Sequence, residues 1–560
     1  MTASLKPRTG GAVLVDALRI HGVETAFCVP GESYLAALDA LYDAQDAIRL
    51  IVARQDGGAA YMAEAYGKVT GRPGICFVTR GPGATNASIG VHAAHQDSTP
   101  MILFIGQVGS EFADREAFQE VDFRRMFGQM TKWVAQIDRA DRIPEYVSRA
   151  FHTVMSGRPG PVVLALPEDM LASTAQTADA EPYRVVQAHP GEADMARLRD
   201  LLSAARRPVV ILGGAIWDRE ACENIRRFAE ANGLPIACAW RYQDLFDNGH
   251  SQYIGDVGLG IDPKLAQRIR EADLLVVIGA RLGEMTTGGY TLVETPRPKQ
   301  KLVHVHPGAE ELGRVYQADL PINASVRAFA AAAARMMPID GVAWRQSVVA
   351  ARQEHLDYNA KRALPGELDL WEVMKAFRER VPEDTIIASG AGNFSAWPGR
   401  FYPYRSLRTQ VATSSGAMGY GVPAGIAAKI ACPGRTVVSF NGDGDFLMNG
   451  QELATAAQYE LPILFLVFNN GLYGTIRMHQ EREYPGRVIG TALRNPDFAA
   501  LARAYGLHGE TVRRTVEFAP ALERALGAGR PALIELVYDA EMITPNTTLD
   551  AIRAKARKSG

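Results

Sequence analysis

Residues 441–446 have the sequence NGDGDF, and an asparagine pair follows at residues 469–470. The apolar, β-branched run TVVSF at residues 436–440 predicts a buried strand, and the run ILFLVF at residues 463–468 predicts another. Between the strands, Asn449 and Glu452 have the spacing of a capping box and predict the start of a helix. Together these signals predict a strand–loop–helix–strand unit.

A right-handed crossover makes the two predicted strands parallel neighbours, so Asp443 and Asn470 are expected at the same carboxyl edge of a sheet. A carboxylate, an amide oxygen and a free backbone carbonyl are the hard oxygen ligands that suit Mg²⁺, which usually keeps phosphate groups in its shell. Gly442 and Gly444 would let the backbone approach a diphosphate closely. The sequence therefore predicts a metal–diphosphate site at this edge.

The overall composition excludes several classes of protein. The chain has 560 residues, of which 47% are hydrophobic and 22% charged, and its net charge is −2. This predicts a soluble globular protein of three or four domains, with no general electrostatic attraction to nucleic acid or membrane. Five scattered cysteines argue against a disulfide framework or structural zinc, and neither a membrane span nor a signal core is evident, so we expect a cytoplasmic protein.

Alternating helix and strand patterns predict the fold class α/β, with three doubly wound parallel-sheet domains. We expect the domains at residues 1–185, 190–340 and 365–545, followed by a tail at residues 546–560. Residues 168–190 and 340–368 have the composition of linkers. The basic end of the tail, which includes Arg553 and Lys558, is expected to be solvated.

A GDG motif followed at this distance by NN resembles the signature of thiamine diphosphate (ThDP) enzymes. A lone Gly-Asp-Gly would more often be a turn in an unrelated α/β protein, but further motifs occur in the order found in the acetolactate synthase-like group of that superfamily, which also includes 2-oxoacid decarboxylases and benzaldehyde lyase. They are GPGATN (81–86), GQV (106–108), AFQE (117–120), SGRPGP (156–161) and GAMGYG (416–421). The resemblance covers nearly the whole chain.

This resemblance implies that the three domains are pyrimidine-binding, middle and diphosphate-binding in chain order. It also implies that ThDP lies between the first domain of one subunit and the third domain of another. A homodimer is then the smallest active unit, and a homotetramer is common. The substrate is expected to be a small 2-oxo acid or aldehyde.

Matching positions carry the family's roles onto this chain. Asp443, Asn470 and the backbone carbonyl of Leu472 are expected to bind Mg²⁺. Met418 would hold the cofactor bent; its place inside Gly-Ala-Met-Gly favours this role over the alternative that it is core filler. The remaining positions expected to contact the cofactor are Pro82, Asn86, Ala391, Asn393, Phe394, Gly416, Gly442, Gly444 and Asp445.

The first departure from the family pattern lies in the first domain. Relatives have Arg-His-Glu, and that glutamate hydrogen-bonds the pyrimidine N1′, whereas this chain has Arg54, Gln55 and Asp56. Asp56 keeps the carboxylate but is shorter by one C–C bond, about 1.5 Å. We therefore expect deprotonation of the cofactor to be slowed rather than abolished.

Two further departures face the expected substrate. Glu32 stands where acetolactate synthases have glycine; it is either an acid–base group or a helix N-terminal glutamate favoured by the dipole. His479 replaces a tryptophan that helps to select the acceptor, and it either faces the pocket or is an exposed helix histidine. Gln119 and Phe118 match pocket residues well, and Gln107 matches less well. The predicted catalytic set is Asp56, Glu32, Gln119 and His479.

These observations favour a ThDP- and Mg²⁺-dependent lyase or carboligase, with a true acetolactate synthase as the alternative. A non-catalytic cofactor-binding regulatory protein is the alternative of another class, and Asp56 is its best support. Some relatives hold FAD in the middle domain. Gly279 to Arg281 resembles part of that site, but the acidic run that should follow is missing, so we expect no tightly bound FAD.

Overall fold

The computed structural model describes residues 6–339 and 343–559. The chain forms two compact units. The first comprises the described part of residues 1–186 together with residues 426–431 and 449–458, and the second comprises the rest.

The first unit is built on one parallel sheet of six strands in the order β3-β2-β4-β5-β7-β6. The central strands are buried throughout, as expected for apolar runs covered by helices on both faces. The strands of this unit are β1 (Arg8–Thr9), β2 (Thr25–Cys28), β3 (Arg49–Val52), β4 (Gly74–Val78), β5 (Met101–Gln107), β6 (Trp133–Gln136), β7 (Pro161–Pro167) and β8 (Thr174–Ala175).

Two long helices, α3 and α4, pack closely because small residues line their contact. A Cβ atom built on Gly90 of α4 would lie 2.5 Å from the Cβ of Ala60 in α3, so only glycine permits this approach. The helices of the unit's N-terminal part are α1 (Gly10–Ile20), α2 (Leu35–Asp43), α3 (Asp56–Thr70), α4 (Gly81–Asp97), α5 (Phe123–Phe127), α6 (Ile143–Met155) and α7 (Glu168–Ala172).

The predicted linker at residues 168–190 is partly wrong. Its first residues form α7, whose Met170 and Leu171 are buried, and β8 pairs antiparallel with β1. Met170 and Leu171 extend the core beyond β7, and β8 forms a separate two-stranded sheet with β1. The irregular segment begins only after Ala175.

The second unit contains two parallel sheets of six strands each, in the orders β11-β10-β9-β12-β13-β14 and β16-β15-β17-β18-β20-β19. With the sheet of the first unit, they confirm the predicted three parallel-sheet α/β architecture. The strands are β9 (Pro208–Leu212), β10 (Ile236–Ala239), β11 (Tyr253–Val257), β12 (Leu274–Ile278), β13 (Lys301–His306), β14 (Leu320–Asn323), β15 (Ile386–Ser389), β16 (Gln410–Ala412), β17 (Val437–Gly442), β18 (Leu464–Asn469), β19 (His508–Val512) and β20 (Ala532–Val537).

The later part of the chain also contains fourteen described helices. The C-terminal half of α15 and all of α17 belong to the first unit. The fourteen described helices are α8 (Glu192–Ala204), α9 (Arg219–Asn232), α10 (Pro263–Glu271), α11 (Val326–Ala334), α12 (Arg345–Tyr358), α13 (Leu370–Arg378), α14 (Ala396–Phe401), α15 (Gly421–Ala431), α16 (Asp443–Phe446), α17 (Leu453–Gln458), α18 (Gly474–Glu483), α19 (Phe498–Ala504), α20 (Thr515–Leu526) and α21 (Leu549–Ser559).

The second predicted linker, residues 340–368, also contains regular structure. Residues 340–342 lie outside the described residues, but α12 follows them and buries Val348 and Ala351. Most of this helix is polar, so its apolar pattern was too sparse to indicate a helix from the sequence.

The C-terminal tail is a helix, and its basic end is not simply solvated. Arg553 of α21 donates from Nε to Glu481 Oε2 at 2.8 Å and from Nη2 to Glu481 Oε1 at 2.7 Å. Glu481 lies on α18, has no exposed side-chain surface, and also accepts from Arg477 and from the backbone N–H of Gly486. A bidentate arginine pair of this kind fixes both position and orientation, so it ties α21 to α18.

We expect this ion pair to make the protein's stability depend on acid pH. The hydrogen bond from Arg553 is the main cause that lowers the pKa of Glu481 from 4.5 to about 2. Its contribution is therefore complete above about pH 4.5 and is lost as the pH falls toward 2. The Tm of the wild type should exceed that of Glu481→Gln at neutral pH, and the difference should shrink between these two pH values. A Tm difference that stays constant across this range would contradict the prediction.

No helix in the described ranges combines the length and apolar character needed to cross a membrane.

Candidate functional site

Asp443 and Asn470 lie beside each other at the carboxyl ends of β17 and β18. These strands are parallel neighbours, with Gly442 opposite Phe468, as the sequence predicts. Asp443 directly follows the last residue of β17, and Asn470 directly follows Asn469, the last residue of β18. The edge at which α/β sheets bind ligands therefore carries both residues.

The carboxylate of Asp443 is buried and held in one orientation. Its Oδ1 accepts from the N–H of Gly444 at 2.9 Å, and its Oδ2 accepts from the N–H of Gly471 at 2.8 Å and from Asn495 Nδ2 at 2.7 Å. Burial raises the pKa of Asp443, because the charged form is poorly solvated there. A bound cation would relieve this desolvation, and lone pairs of Oδ1 remain available to bind it.

The oxygen donors of this edge match a hard cation better than a transition metal. Asn470 turns its Oδ1 toward its own loop, where it accepts from the N–H of Leu472 at 3.2 Å. Within residues 6–339 and 343–559, no cluster of three or more His, Cys, Asp or Glu side chains could hold a metal ion. One carboxylate, one amide and one backbone carbonyl are instead the donor set that fits Mg²⁺ with phosphate oxygens completing its shell.

Asp445 is a second buried carboxylate in the same turn. Its Oδ1 accepts from the N–H groups of Ala391 and Gly419 at 3.0 and 2.9 Å. Its Oδ2 is buried without a hydrogen-bond partner in the described part of the chain. Burial raises the pKa of Asp445 to about 7. An orphaned polar atom of this kind indicates that a further group belongs beside it.

Two aromatic rings lie so close to Gly442 and Gly444 that a side chain at either position would clash with them. A Cβ atom on Gly442 would lie 2.7 Å from the ring of Phe394, and one on Gly444 would lie 2.5 Å from the ring of Tyr473. The sequence predicted these glycines as places where a diphosphate approaches the backbone. The ring contacts are a further reason for them, which the sequence did not reveal.

A cavity of about 1070 Å³ contains this edge of the sheet. The structure brings together there all the third-domain residues that the sequence singled out: Ala391, Asn393, Phe394, Gly416, Met418, Gly442, Asp443, Gly444, Asp445, Asn470, Leu472 and His479. The volume is at the upper end of the range for ligand pockets. It can therefore accept a cofactor together with a small substrate.

His479 lies on α18 at the cavity wall, and it is largely exposed. The Arg482 guanidinium, which can only donate, contacts Nδ1 of His479. The neutral ring then carries its proton on Nε2, which is the atom free to meet a ligand.

Three residues of this region were missed by the sequence analysis. Arg241, which follows β10, donates to the carbonyl of Gly390 at 3.2 Å. Thr475 exchanges hydrogen bonds with the backbone and side chain of Asn393 at 3.1 and 2.9 Å. Asn495 joins Asp443 to Asn469 through bonds of 2.7 and 2.8 Å. None has a motif of its own; only the folded chain brings them to the site.

In the first unit, Asp56 is the first residue of α3 and is 9% exposed. Its Oδ2 accepts from Asn86 Nδ2 at 3.3 Å, whereas its Oδ1 is buried with no partner among the residues the structure describes. Gln55, at the family's histidine position, caps the same helix by accepting from the N–H of Gly58 at 2.9 Å. Asp56 therefore has one oxygen anchored and one available.

The other first-unit candidates have different surroundings. Glu32 begins a short 3-10 helix, Glu32–Tyr34, and accepts from Arg80 Nη1 at 2.8 Å. Gln119 has a positive φ of 65°, and its Oε1 is buried without a partner among the described residues. Pro82 lies in the first turn of α4, the helix that also carries Asn86.

The two weaker matches of this region differ from each other. Phe118 is 75% exposed in this chain. Gln107 bonds the backbone of Val108 and Val121, which is a structural role for its amide.

The predicted capping box at Asn449 is wrong in its main contact. Residues Gly450–Glu452 form a 3-10 turn before α17, and the side chain of Asn449 makes no cap hydrogen bond. The Glu452 carboxylate accepts instead from the backbone N–H groups of Arg54 and Gln55, because these donors at the start of α3 have no acceptor within their own helix.

The chain is an α/β protein with three parallel sheets, and the buried carboxylate and the amide at the carboxyl edge of the last sheet are donors that suit a phosphorylated cofactor and a hard cation. Three family models match the chain in order. They are described as thiamine pyrophosphate enzyme N-terminal TPP binding domain (residues 8–126), central domain (195–333) and C-terminal TPP binding domain (390–536).

Curated relatives match along nearly their whole length. The acetolactate synthase isozyme 2 large subunit of Escherichia coli (strain K12) is 30% identical over 536 residues, which cover 95% of this chain and 95% of the relative. The probable acetolactate synthase large subunit of Methanocaldococcus jannaschii is 31% identical over 95% of this chain and 92% of the relative. The large subunit from Corynebacterium glutamicum is 31% identical over 96% and 88%. The chain thus belongs to the thiamine pyrophosphate enzyme family, in its acetolactate synthase-like group.

Proposed function

We propose that this protein is a ThDP- and Mg²⁺-dependent enzyme that breaks or forms a carbon–carbon bond next to the carbonyl group of a 2-oxo acid or aldehyde. The observation that carries the proposal is the oxygen donor set of Asp443, Asn470 and Leu472 at one sheet edge inside the large cavity. The buried, unpartnered Oδ2 of Asp445 next to it supports the same conclusion.

In this proposal, Asp443, Asn470 and the carbonyl of Leu472 hold Mg²⁺, which in turn holds the diphosphate. Ala391, Asn393 and Phe394 contact the diphosphate end, and Gly416 and Met418 hold the ring end of the cofactor. When bound, ThDP supplies a nucleophilic carbon and an electron sink for the bond that breaks. The chain's own residues orient the cofactor, shield it from water and move protons.

Proton handling is assigned to three side chains and substrate positioning to a fourth. Asp56 holds a proton at the pyrimidine N1′ through its unpartnered Oδ1, while Asn86 anchors its other oxygen. Gln119 positions the substrate by its unpartnered amide oxygen. Glu32, anchored by Arg80, and His479, through Nε2, serve as acid–base groups.

We further propose that the active unit is a homodimer or homotetramer in the cytoplasm. Asp56, Glu32 and Gln119 would act on the cofactor held by the third domain of another copy. The domain limits near residues 185, 340 and 365 are kept as part of this proposal.

An acetolactate synthase is the second candidate, because the similar proteins are named as acetolactate synthases. Glu32 and His479 stand where the family resemblance implies glycine and tryptophan in acetolactate synthases, and they favour another substrate pair. A non-catalytic role is the third candidate and rests on Asp56 alone. The expectation of no tightly bound FAD stays a prediction; Arg281, in the segment that resembles the flavin site, is paired with Glu311 at 3.2 Å.

Carbon dioxide release from a panel of 2-oxo acids, with ThDP and Mg²⁺ added, tests these candidates together. Release accompanied by an aldehyde product supports a decarboxylase, and acyloin formation supports a carboligase. Acetolactate from pyruvate would support the synthase. No turnover of any 2-oxo acid, aldehyde or acyloin would contradict the proposal and favour the non-catalytic protein.

A further inference from the structure

Glu452 is a fully buried carboxylate to which the proposed chemistry gives no task. It ends the 3-10 turn Gly450–Glu452 and has no exposed surface. Burial raises its pKa, because the ion is removed from water. A buried carboxylate is costly unless its partners compensate for the lost hydration, so the identity of those partners matters.

The partners of Glu452 are the two backbone donors that precede Asp56. Its Oε1 accepts from the N–H of Arg54 at 3.0 Å and from the N–H of Gln55 at 3.0 Å, and its Oε2 accepts from Arg54 at 3.2 Å. Thr455 completes the set by donating its hydroxyl to Oε2 at 2.5 Å. One carboxylate therefore fixes the turn between β3 and α3 immediately before Asp56.

The packing around this carboxylate leaves it little freedom. A Cβ atom on Gly58 would lie 2.6 Å from Glu452 Oε1, so the first turn of α3 touches the carboxylate directly. Gln55 caps that turn from its own side chain, and Arg54 Nη2 donates to Gln458 Oε1 at 2.5 Å. The two residues before Asp56 are thus held by the segment that contains Glu452, and the first turn of α3 packs against that carboxylate.

We propose that Glu452 is a positioning residue for Asp56: by binding the N–H groups of Arg54 and Gln55, it sets the place from which the Asp56 carboxylate reaches the cofactor. The inference rests on the proposed role of Asp56. Asp56 is shorter than the usual glutamate, so its side chain cannot compensate for a displaced backbone as a longer one could. Loss of alignment of about 1 Å is enough to slow such a step by up to about 100-fold.

Glu452→Gln tests this with little change of shape. The amide keeps one acceptor oxygen but removes the negative charge and turns the other acceptor into a donor. The second contact of the Arg54 N–H is then lost, and the Thr455 hydroxyl must accept where it now donates. We expect exchange of the C2 hydrogen of bound ThDP to slow by about 10- to 100-fold, with the affinity for ThDP and Mg²⁺ unchanged. Hydrogen–deuterium exchange of the amides in residues 54–58 should rise even without cofactor.

Glu64→Gln is the matched control. Glu64 is a buried carboxylate on α3, two turns after Asp56, and accepts from the Thr99 hydroxyl at 2.7 Å. Its loss should lower the Tm without altering C2 hydrogen exchange or the amide exchange of residues 54–58. A Glu64→Gln protein as slow as Glu452→Gln would reduce the effect to general destabilisation and overturn the proposal.

Gly58→Ala provides a second variant that keeps the carboxylate. Helix propensity alone predicts a more stable protein, because alanine is the better helix former. Despite that gain in helix propensity, we expect slower C2 hydrogen exchange in Gly58→Ala, since the new methyl group displaces Glu452 Oε1. If the wild-type protein exchanges no C2 hydrogen of bound ThDP, the proposed function is wrong. If the backbone amides of residues 54–58 exchange as slowly in Glu452→Gln as in the wild type, the positioning role is wrong.

Discussion

Asp443→Ala should abolish turnover and weaken the joint binding of ThDP and Mg²⁺ by more than about 100-fold, because the metal loses its only carboxylate ligand among the proposed three. The side chain is 3% exposed and its two oxygens are held by Gly444, Gly471 and Asn495. Asp445, the other carboxylate of the turn, is fixed at Oδ1 by Ala391 and Gly419 and is not among the proposed ligands. Quenching of tryptophan fluorescence during ThDP titration at fixed Mg²⁺ measures the effect.

Asn495→Ala separates ligation from orientation. Asn495 does not belong to the proposed ligands but donates to Asp443 Oδ2, and loss of such an outer partner costs about 10- to 100-fold in metal affinity. Asp497→Ala is the control nearby: it removes the N-cap of α19 and should lower stability by about 1 kcal/mol without changing affinity. Binding by Asp443→Ala as tight as that of the wild type would exclude this metal site.

The sheet edge that carries Asp443 and Asn470 could be predicted because its signals are local. The apolar runs before Asp443 and Asn470 specify two buried strands, and a crossover between them has one favoured hand. Placement at a shared edge then follows from topology alone. Asn495 and Arg241 could not be predicted in this way, because each reaches the site from an irregular segment whose path only tertiary packing determines.

Helices with weak apolar faces were the elements that the sequence concealed. In α12 the buried residues are Val348 and Ala351, and α21 is held largely by the pair of Arg553 with Glu481. Charged partners that meet across the fold leave no periodic apolar pattern in the sequence. Glu452 was misassigned for a related reason: its spacing to Asn449 fits a capping box, but better donors reach it from residues far away in the chain.

Replacement of Asp56 should produce the other large effect. We expect Asp56→Ala to slow exchange of the C2 hydrogen of bound ThDP by about 10²- to 10⁴-fold, the usual size of an acid–base contribution. Affinity for the cofactor should change little, because the diphosphate and metal ligands remain. Exchange measured by NMR after acid quench separates this step from substrate turnover.

Asp56→Glu should have the opposite effect and exceed the wild-type rate. The added methylene extends the carboxylate by about 1.5 Å, so it contacts the pyrimidine N1′ directly and does not depend on a backbone shift or a bridging water. The environment of Asp56 favours this outcome, since Oδ1 is already unpartnered among the described residues while Oδ2 is held by Asn86. If Asp56→Glu exchanges no faster than the wild type, the idea that the shorter side chain limits deprotonation is wrong.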